Sequence, residues 1–215
     1  MEARPGTVIL IGGGGHCLVV AEAAHRLGVT VAGVLDDRKD APAVTKMGLP
    51  LLGGLHDAPP VTSSETSYFV CVGDTALRAK LVDNLQRLGC RAFGPIVSPD
   101  ATISKHALLD SGVFVGPRAV VNCFARIGAH AIINTGAIIE HDCLVGASSH
   151  VAPGCVVAGA AQLGDRAFLG IGARVLPRKR IGAGATVGAG ALVTRDVEAG
   201  ATVVGVPARA LVPKN

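Results

Sequence analysis

His141 and Asp142 stand side by side in the stretch Ile139-Glu140-His141-Asp142-Cys143. A carboxylate beside an imidazole raises its basicity and fixes its tautomer, so that the far ring nitrogen can take a proton. Histidine is the usual general base near neutral pH, and this pair reads as one. A second stretch carries binding chemistry. Residues 8–11 form a short apolar run, followed by Gly12-Gly13-Gly14-Gly15-His16 and a helical pattern from Cys17 to about Leu27. Glycines there let a backbone approach a diphosphate at the helix N-terminus. A second apolar run, residues 31–35, ends at Asp36-Asp37, where an acid can accept hydrogen bonds from a ribose or a base. The dinucleotide fingerprint is incomplete, because Cys17 falls where its third glycine belongs and His16 where a small residue is expected. A tight turn without a ligand is the competing reading.

The element that positions His141 is a repeat. Every sixth residue from Val97 to Val193 is aliphatic, seventeen positions without a slip. Four residues after each comes a mostly small side chain, with Lys179 the clear exception, flanked by Arg178 and Arg180. A period of six over about a hundred residues marks a parallel β-helix of hexapeptides, in which three short strands close one coil and residues eighteen apart stack. Alternating antiparallel strands would need a period of two. The repeat puts His141 outside the interior near a corner, Cys143 and Cys155 inside, and Gly159 one coil from His141. Gly159 is thereby a candidate backbone N–H donor to a developing oxyanion. Lys179 is expected at an exposed turn.

Upstream of the repeat, the order strand, glycine turn, helix, strand describes a small Rossmann-like α/β unit with a parallel sheet. Its third strand is expected at residues 68–72, before Gly73-Asp74-Thr75, with a helix over 76–88 and a last strand over 91–97. Residues 38–66 read as irregular, with a short strand near Leu51. The sheet is too small for a full dinucleotide fold and suits one nucleotide or nucleotide-sugar at the carboxyl ends of strands one to three. The boundaries expected are 1–96 for the α/β domain, 97–198 for the β-helix and 199–215 for a tail packed along the last coils.

Composition narrows the function classes. The net charge is +4, and the excess lies in the β-helix and tail, with eleven basic and seven acidic residues after position 96 against nine and nine before it. Nucleic-acid binding would call for more charge and interleaved aromatics, whereas Trp is absent and there is one Tyr. A small phosphorylated ligand fits better. No run of eighteen apolar residues suggests a membrane span, and no signal-peptide core is seen, so a cytoplasmic protein is expected. The six cysteines show no paired spacing and read as free thiols. Seven histidines are present, yet His141 and His150 are nine apart with no third histidine at a matching stack. A zinc site is therefore not expected, which argues against a β-helical carbonic anhydrase.

Together, the glycine turn with His16, Asp36-Asp37, the hexapeptides, the stretch from Asn134 to Asp142 and Gly205-Val206-Pro207-Ala208 resemble the bacterial sugar acetyltransferases of the sialic-acid O-acetyltransferase-like group. The likeness is greatest to those that N-acetylate a 4-amino sugar on a nucleotide diphosphate. The resemblance implies a left-handed β-helix, a homotrimer with active sites between subunits, acetyl-CoA as co-substrate, no metal, and a role in O-antigen or lipopolysaccharide biosynthesis. It assigns the base to His141 with Asp142 as partner. It assigns acetyl-CoA contacts to His150, Ile171, Gly188 and Ala189, and the stacking count adds Gly159 to that set. Nucleotide-sugar contacts fall on Gly14, Gly15, His16, Asp36, Asp37 and Gly73, with Asn134 near the sugar amine. O-acetylation of a sugar hydroxyl and a non-catalytic β-helix scaffold are the alternatives.

Overall fold

The computed structural model describes residues 6–57 and 66–211. The expected start at Met1 and part of the irregular stretch, residues 58–65, lie outside them, as do the last four residues. The N-terminal unit runs β1 (Thr7–Ile11), α1 (Gly15–Arg26), β2 (Thr30–Leu35), α2 (Pro42–Met47), β3 (Leu51–Gly53), β4 (Thr66–Val70) and α3 (Thr75–Arg87). Its four strands are parallel in the order β3-β2-β1-β4. The stretch read as irregular holds α2, which has Pro42 in its first turn and Gly48 in the left-handed conformation at its end. Six residues are too few for a readable apolar periodicity, and only this punctuation marks the helix. The strand expected over 91–97 is also different. Ala92 makes a single bridge to Tyr68, and Ile96–Val97 instead pairs with Phe114–Val115 as the first rung of the β-helix.

From there the chain winds a left-handed parallel β-helix of two-residue strands, each paired with the strand eighteen residues on, as in Ile132↔His150 and Ile138↔Val156. Three faces result. The docked face starts at Ile96–Val97 and includes Phe114–Val115, Ile132–Ile133, His150–Val151, Phe168–Leu169 and Thr186–Val187. The following face runs from Thr102–Ile103 to Leu192–Val193, and the third face from Leu108–Leu109 to Arg180–Ile181. The sixth-residue aliphatics fill the interior, Val115, Ile133, Ile139, Val157 and Leu169 all being fully buried. Each turn spends one residue in the left-handed region, at every sixth position from Gly112 to Gly190, Asp142 among them at φ 59°. Glycine takes that conformation freely, and aspartate is one of the side chains that tolerate it. The docked face extends past the expected end at residue 198, through Thr202–Val204, and Arg209–Ala210 folds back antiparallel on it.

The outward residues separate the faces. On the docked face Ile96, Phe114 and Ile132 are at most 2% exposed, because Leu10, Cys17, Val20 and Phe69 of the α/β unit pack onto them. At roughly 1.5–3 kcal/mol per buried large apolar side chain, the three contribute about 5–9 kcal/mol gross to holding the units together. Outward residues of the third face, such as Leu108, Arg126, Leu144 and Arg180, are exposed.

Candidate active site

His141 and Asp142 occupy the turn between the following and third faces. Asp142 reaches back so that Oδ2 lies 2.8 Å from His141 Nδ1, with both side chains more than half exposed. With Nδ1–H donating to the carboxylate, Nε2 keeps its lone pair. The ring lies over Gly159 in the next coil, where a methyl group would stand 2.6 Å from Nε2. Gly159 N–H makes no hydrogen bond among the described residues. The packing needs glycine for space, since this residue is not in the left-handed region. Lys179 stands on the same edge, two coils from Cys143, half-buried after an exposed turn. Cys143 and Cys155 are buried with their thiols pushed up by burial, Cys155 to about 11, and all six cysteines are free.

Asn134, Ile171, Gly188 and Ala189 lie on the other edge of the following face, in turns that leave the docked face. Ile171 and Ala189 are exposed. His150 stands at this edge on the docked face, buried between His16 and Phe168, with ring centroids 6.3 and 5.4 Å away. Its Nδ1 is 2.9 Å from the Gly73 carbonyl, and its Nε2 is 3.1 Å from Asn134 Nδ2. A carbonyl only accepts and an amide NH2 only donates, so His150 is the neutral Nδ1–H tautomer. The Asn134 amide is oriented by its Oδ1, which accepts from Thr135 N at 2.8 Å. Burial, offset in part by the Gly73 bond and reinforced by Arg78, pushes the His150 pKa down to about 4.

The glycine turn meets this cluster. Gly12 has φ +92° and presses on Val72, where a side chain would clash. α1 then begins at Gly15 with no side-chain cap; Cys17 N donates to Gly14 O at 3.0 Å, which leaves the Gly15 and His16 amides for an anion. His16 follows, edge-on to Phe114 at 5.1 Å, with its pKa lowered to about 3 by burial, then by His150 and Arg78. Its Nε2 is buried without a hydrogen-bond partner among the described residues. Asp36 is buried and faces the turn rather than an open cleft. It accepts from Gly13 N at 2.7 Å and from Arg38 N and Nε at 2.9 and 3.2 Å. Burial alone would raise its pKa, but these hydrogen bonds prevail and hold it below the usual carboxylate value. Asp37 is exposed and accepts from Leu55 N.

The structure thus brings Gly14, Gly15, His16, Gly73, Asn134 and His150 together. It sets His141, Asp142 and Gly159 apart from them, at the far edge of the following face. Arg78 and Arg38 are additions that sequence reasoning missed. Arg38 brings Nη2 to within reach of Gly14, 3.8 Å from where its side chain would begin. Arg78 carried a signal, because it opens the buried i, i+3, i+4, i+7 stripe Arg78, Leu81, Val82, Leu85 of α3, where a charge is out of place. No group of three His, Cys, Asp or Glu side chains among the described residues is placed to hold a metal ion.

The PglD N-terminal domain family matches residues 7–85. No curated protein matches the chain. Among solved structures, PerB from Caulobacter crescentus in complex with CoA and GDP-perosamine is 39% identical over 98% of this chain and 99% of its own, with a TM-score of 0.88. Structures of the H141A and H141N mutants of that GDP-perosamine N-acetyltransferase match equally well. The acetyltransferase domain of PglB from Neisseria gonorrhoeae in complex with acetyl coenzyme A is 33% identical over 97% of this chain and 100% of its own, with a TM-score of 0.87. WeeI from Acinetobacter baumannii is 26% identical over 97% and 100%, with a TM-score of 0.83. The chain belongs to the family of acetyl-CoA-dependent sugar N-acetyltransferases in which a PglD-type N-terminal domain precedes a left-handed β-helix.

Proposed function

We propose that this protein transfers the acetyl group of acetyl-CoA to the 4-amino group of a nucleotide-linked amino sugar, GDP-perosamine being the acceptor its relatives best support. The observation that carries the reading is the exposed His141–Asp142 pair over Gly159, on a chain 39% identical to an enzyme with that acceptor. That relative has been solved as mutants at a histidine bearing the same number. The amine nitrogen attacks the thioester carbonyl, and the new C–N bond forms as the carbonyl π-electrons move to oxygen. His141 Nε2 takes a proton from the amine, and the free Gly159 N–H donates to the oxyanion. Collapse of the adduct breaks the C–S bond, and protonated His141 returns the proton to the departing thiolate. No acyl-enzyme is needed.

Residues 1–96 are proposed to bind the nucleotide-sugar, 97–198 to carry acetyl transfer, and 199–215 to close the β-helix. On this reading Gly14, Gly15, His16, Asp37, Gly73 and Asn134 contact the acceptor. Asp36 acts by holding the turn and Arg38. Ile171, Gly188 and Ala189 lie along acetyl-CoA, with Lys179 near it, whereas His150, expected there from the resemblance, is bonded to Gly73 and Asn134 and is proposed to act with the acceptor. The base and the acceptor cluster stand at opposite edges of the following face, which supports completion of each site by a neighbouring protomer in a homotrimer. That face also carries half-exposed apolar residues, Val120, Ile138 and Val156, with Leu192 beyond the exposed Arg174, suited to such packing. The protein is proposed to work in the cytoplasm, supplying an N-acetylated sugar for O-antigen. No helix among the described residues is long and apolar enough to cross a membrane.

The test is thiol release from acetyl-CoA with GDP-, UDP- and dTDP-linked 4-amino sugars, with sialic acid as a hydroxyl acceptor. Turnover with one nucleotide amino sugar is expected. Turnover with sialic acid alone would favour O-acetylation, and no turnover together with no acetyl-CoA-induced rise in melting temperature would leave a scaffold.

A further inference from the structure

Arg78 is fully buried in the first turn of α3, and no carboxylate pairs with it among the described residues. A guanidinium has five N–H donors, and here all five meet backbone carbonyls. Nε donates to His130 O at 2.9 Å; Nη1 donates to Val72 O at 2.6 Å and Gly73 O at 3.1 Å; Nη2 donates to Ser148 O at 2.7 Å and Ser149 O at 2.9 Å. Two acceptors belong to the loop after β4, and three to turns of the β-helix. The Gly73 carbonyl is shared, since it also accepts from His150 Nδ1, whose Nε2 takes the Asn134 amide. One side chain therefore joins the acceptor-binding loop to the β-helix and, through Gly73, to His150 and Asn134.

We propose that Arg78 is the positioning residue of the acceptor half-site. By clamping the Gly73 loop to the β-helix it sets His150 and Asn134, and with them the place of the sugar amine relative to the base. The inference rests on the acetyl-transfer reading above. Its charge serves the same end, because a buried cation beside His16, His130 and His150 disfavours their protonation and keeps His150 neutral, as the chain of bonds requires. Lysine cannot substitute, having three donors on one nitrogen against five directed ones.

The experiment measures steady-state kinetics of the full-length Arg78→Lys and Arg78→Met proteins with acetyl-CoA and GDP-perosamine, alongside ¹⁵N spectra of the wild-type side chains. Both variants are expected to raise KM for the nucleotide-sugar about tenfold or more, as for loss of a charged hydrogen-bonded group, while KM for acetyl-CoA stays within about twofold. In Arg78→Met, His150 should titrate at higher pH than in Arg78→Lys, which keeps the charge, a difference that loss of burial in both variants would not produce. Folded variants in which both KM values are unchanged, or rise together, overturn the inference. Should neither variant fold, the wild-type protein decides. Arg78 Nε–H should be protected from solvent exchange and shift on addition of GDP, and an exchanging or unresponsive signal overturns the inference. A wild-type protein that neither transfers acetyl groups nor binds GDP removes the parent reading as well, an outcome distinct from active enzyme with an indifferent Arg78.

Discussion

His141 projects from a turn into solvent with a carboxylate on one ring nitrogen and space on the other. His16, His130 and His150 lie in the seam between the two units, where burial and Arg78 push their pKa values to about 3, 4 and 4. A general base must be able to accept and release a proton, and that role is proposed for the exposed corner. Within the seam His150 is held in one tautomer by its bonds to Gly73 and Asn134. The same side chain is thus proposed as a base at His141 and is a fixed hydrogen-bonding strut at His150, according to its solvent access and its partners.

The contrast is broken most severely at the corner. His141→Asn should lower kcat by ~10²–10⁴-fold, as for loss of a general base, with melting temperature unchanged because the side chain is exposed; near-normal turnover would remove the assignment. Gly159→Ala places a methyl group 2.6 Å from His141 Nε2 and displaces the ring. A misplacement of that order costs about 10²-fold, measured as kcat in a protein of ordinary stability. Asp142→Asn tolerates the same turn but gives up a charge-assisted hydrogen bond of about 1.5 kcal/mol, which corresponds to about tenfold in kcat.

The seam responds to pH. Its histidines have folded pKa values below the ordinary 6.5, so the unfolded chain binds more protons as pH falls through that range. Their contribution to stability is complete above about pH 6.5 and is lost progressively down to pH 4 and below. Loss of about 2 kcal/mol would lower the melting temperature by roughly 4–8 °C in a chain of this size. Replacing His150 with Phe should flatten that fall, as read by thermal scans from pH 7.5 to 4.5, whereas replacing His141 should not.

The corner was far more legible than the seam. A period of six reports on each hexapeptide by itself, and stacking by eighteen follows from counting, so the adjacency of His141 and Gly159 could be read from residue numbers. The seam joins α1, the loop after β4 and two β-helix turns, and no periodicity relates them. Arg78 showed only as a charge in an apolar stripe, and its carbonyl partners have no sequence signature. Asp36 was legible as an acid after β2, but its bond to Gly13, which turns it inward, depends on tertiary placement. α2 was missed because one turn and a half is shorter than the helical period can reveal.

Corner and seam are proposed to be two halves of one reaction, supplied by neighbouring protomers. Co-assembling His141→Ala protomers with His16→Ala protomers tests this most directly. Each variant alone should be close to inactive, and the mixed assembly should recover acetyl transfer, because some sites pair an intact corner with an intact seam. Mixed assemblies as inactive as their parents would contradict it.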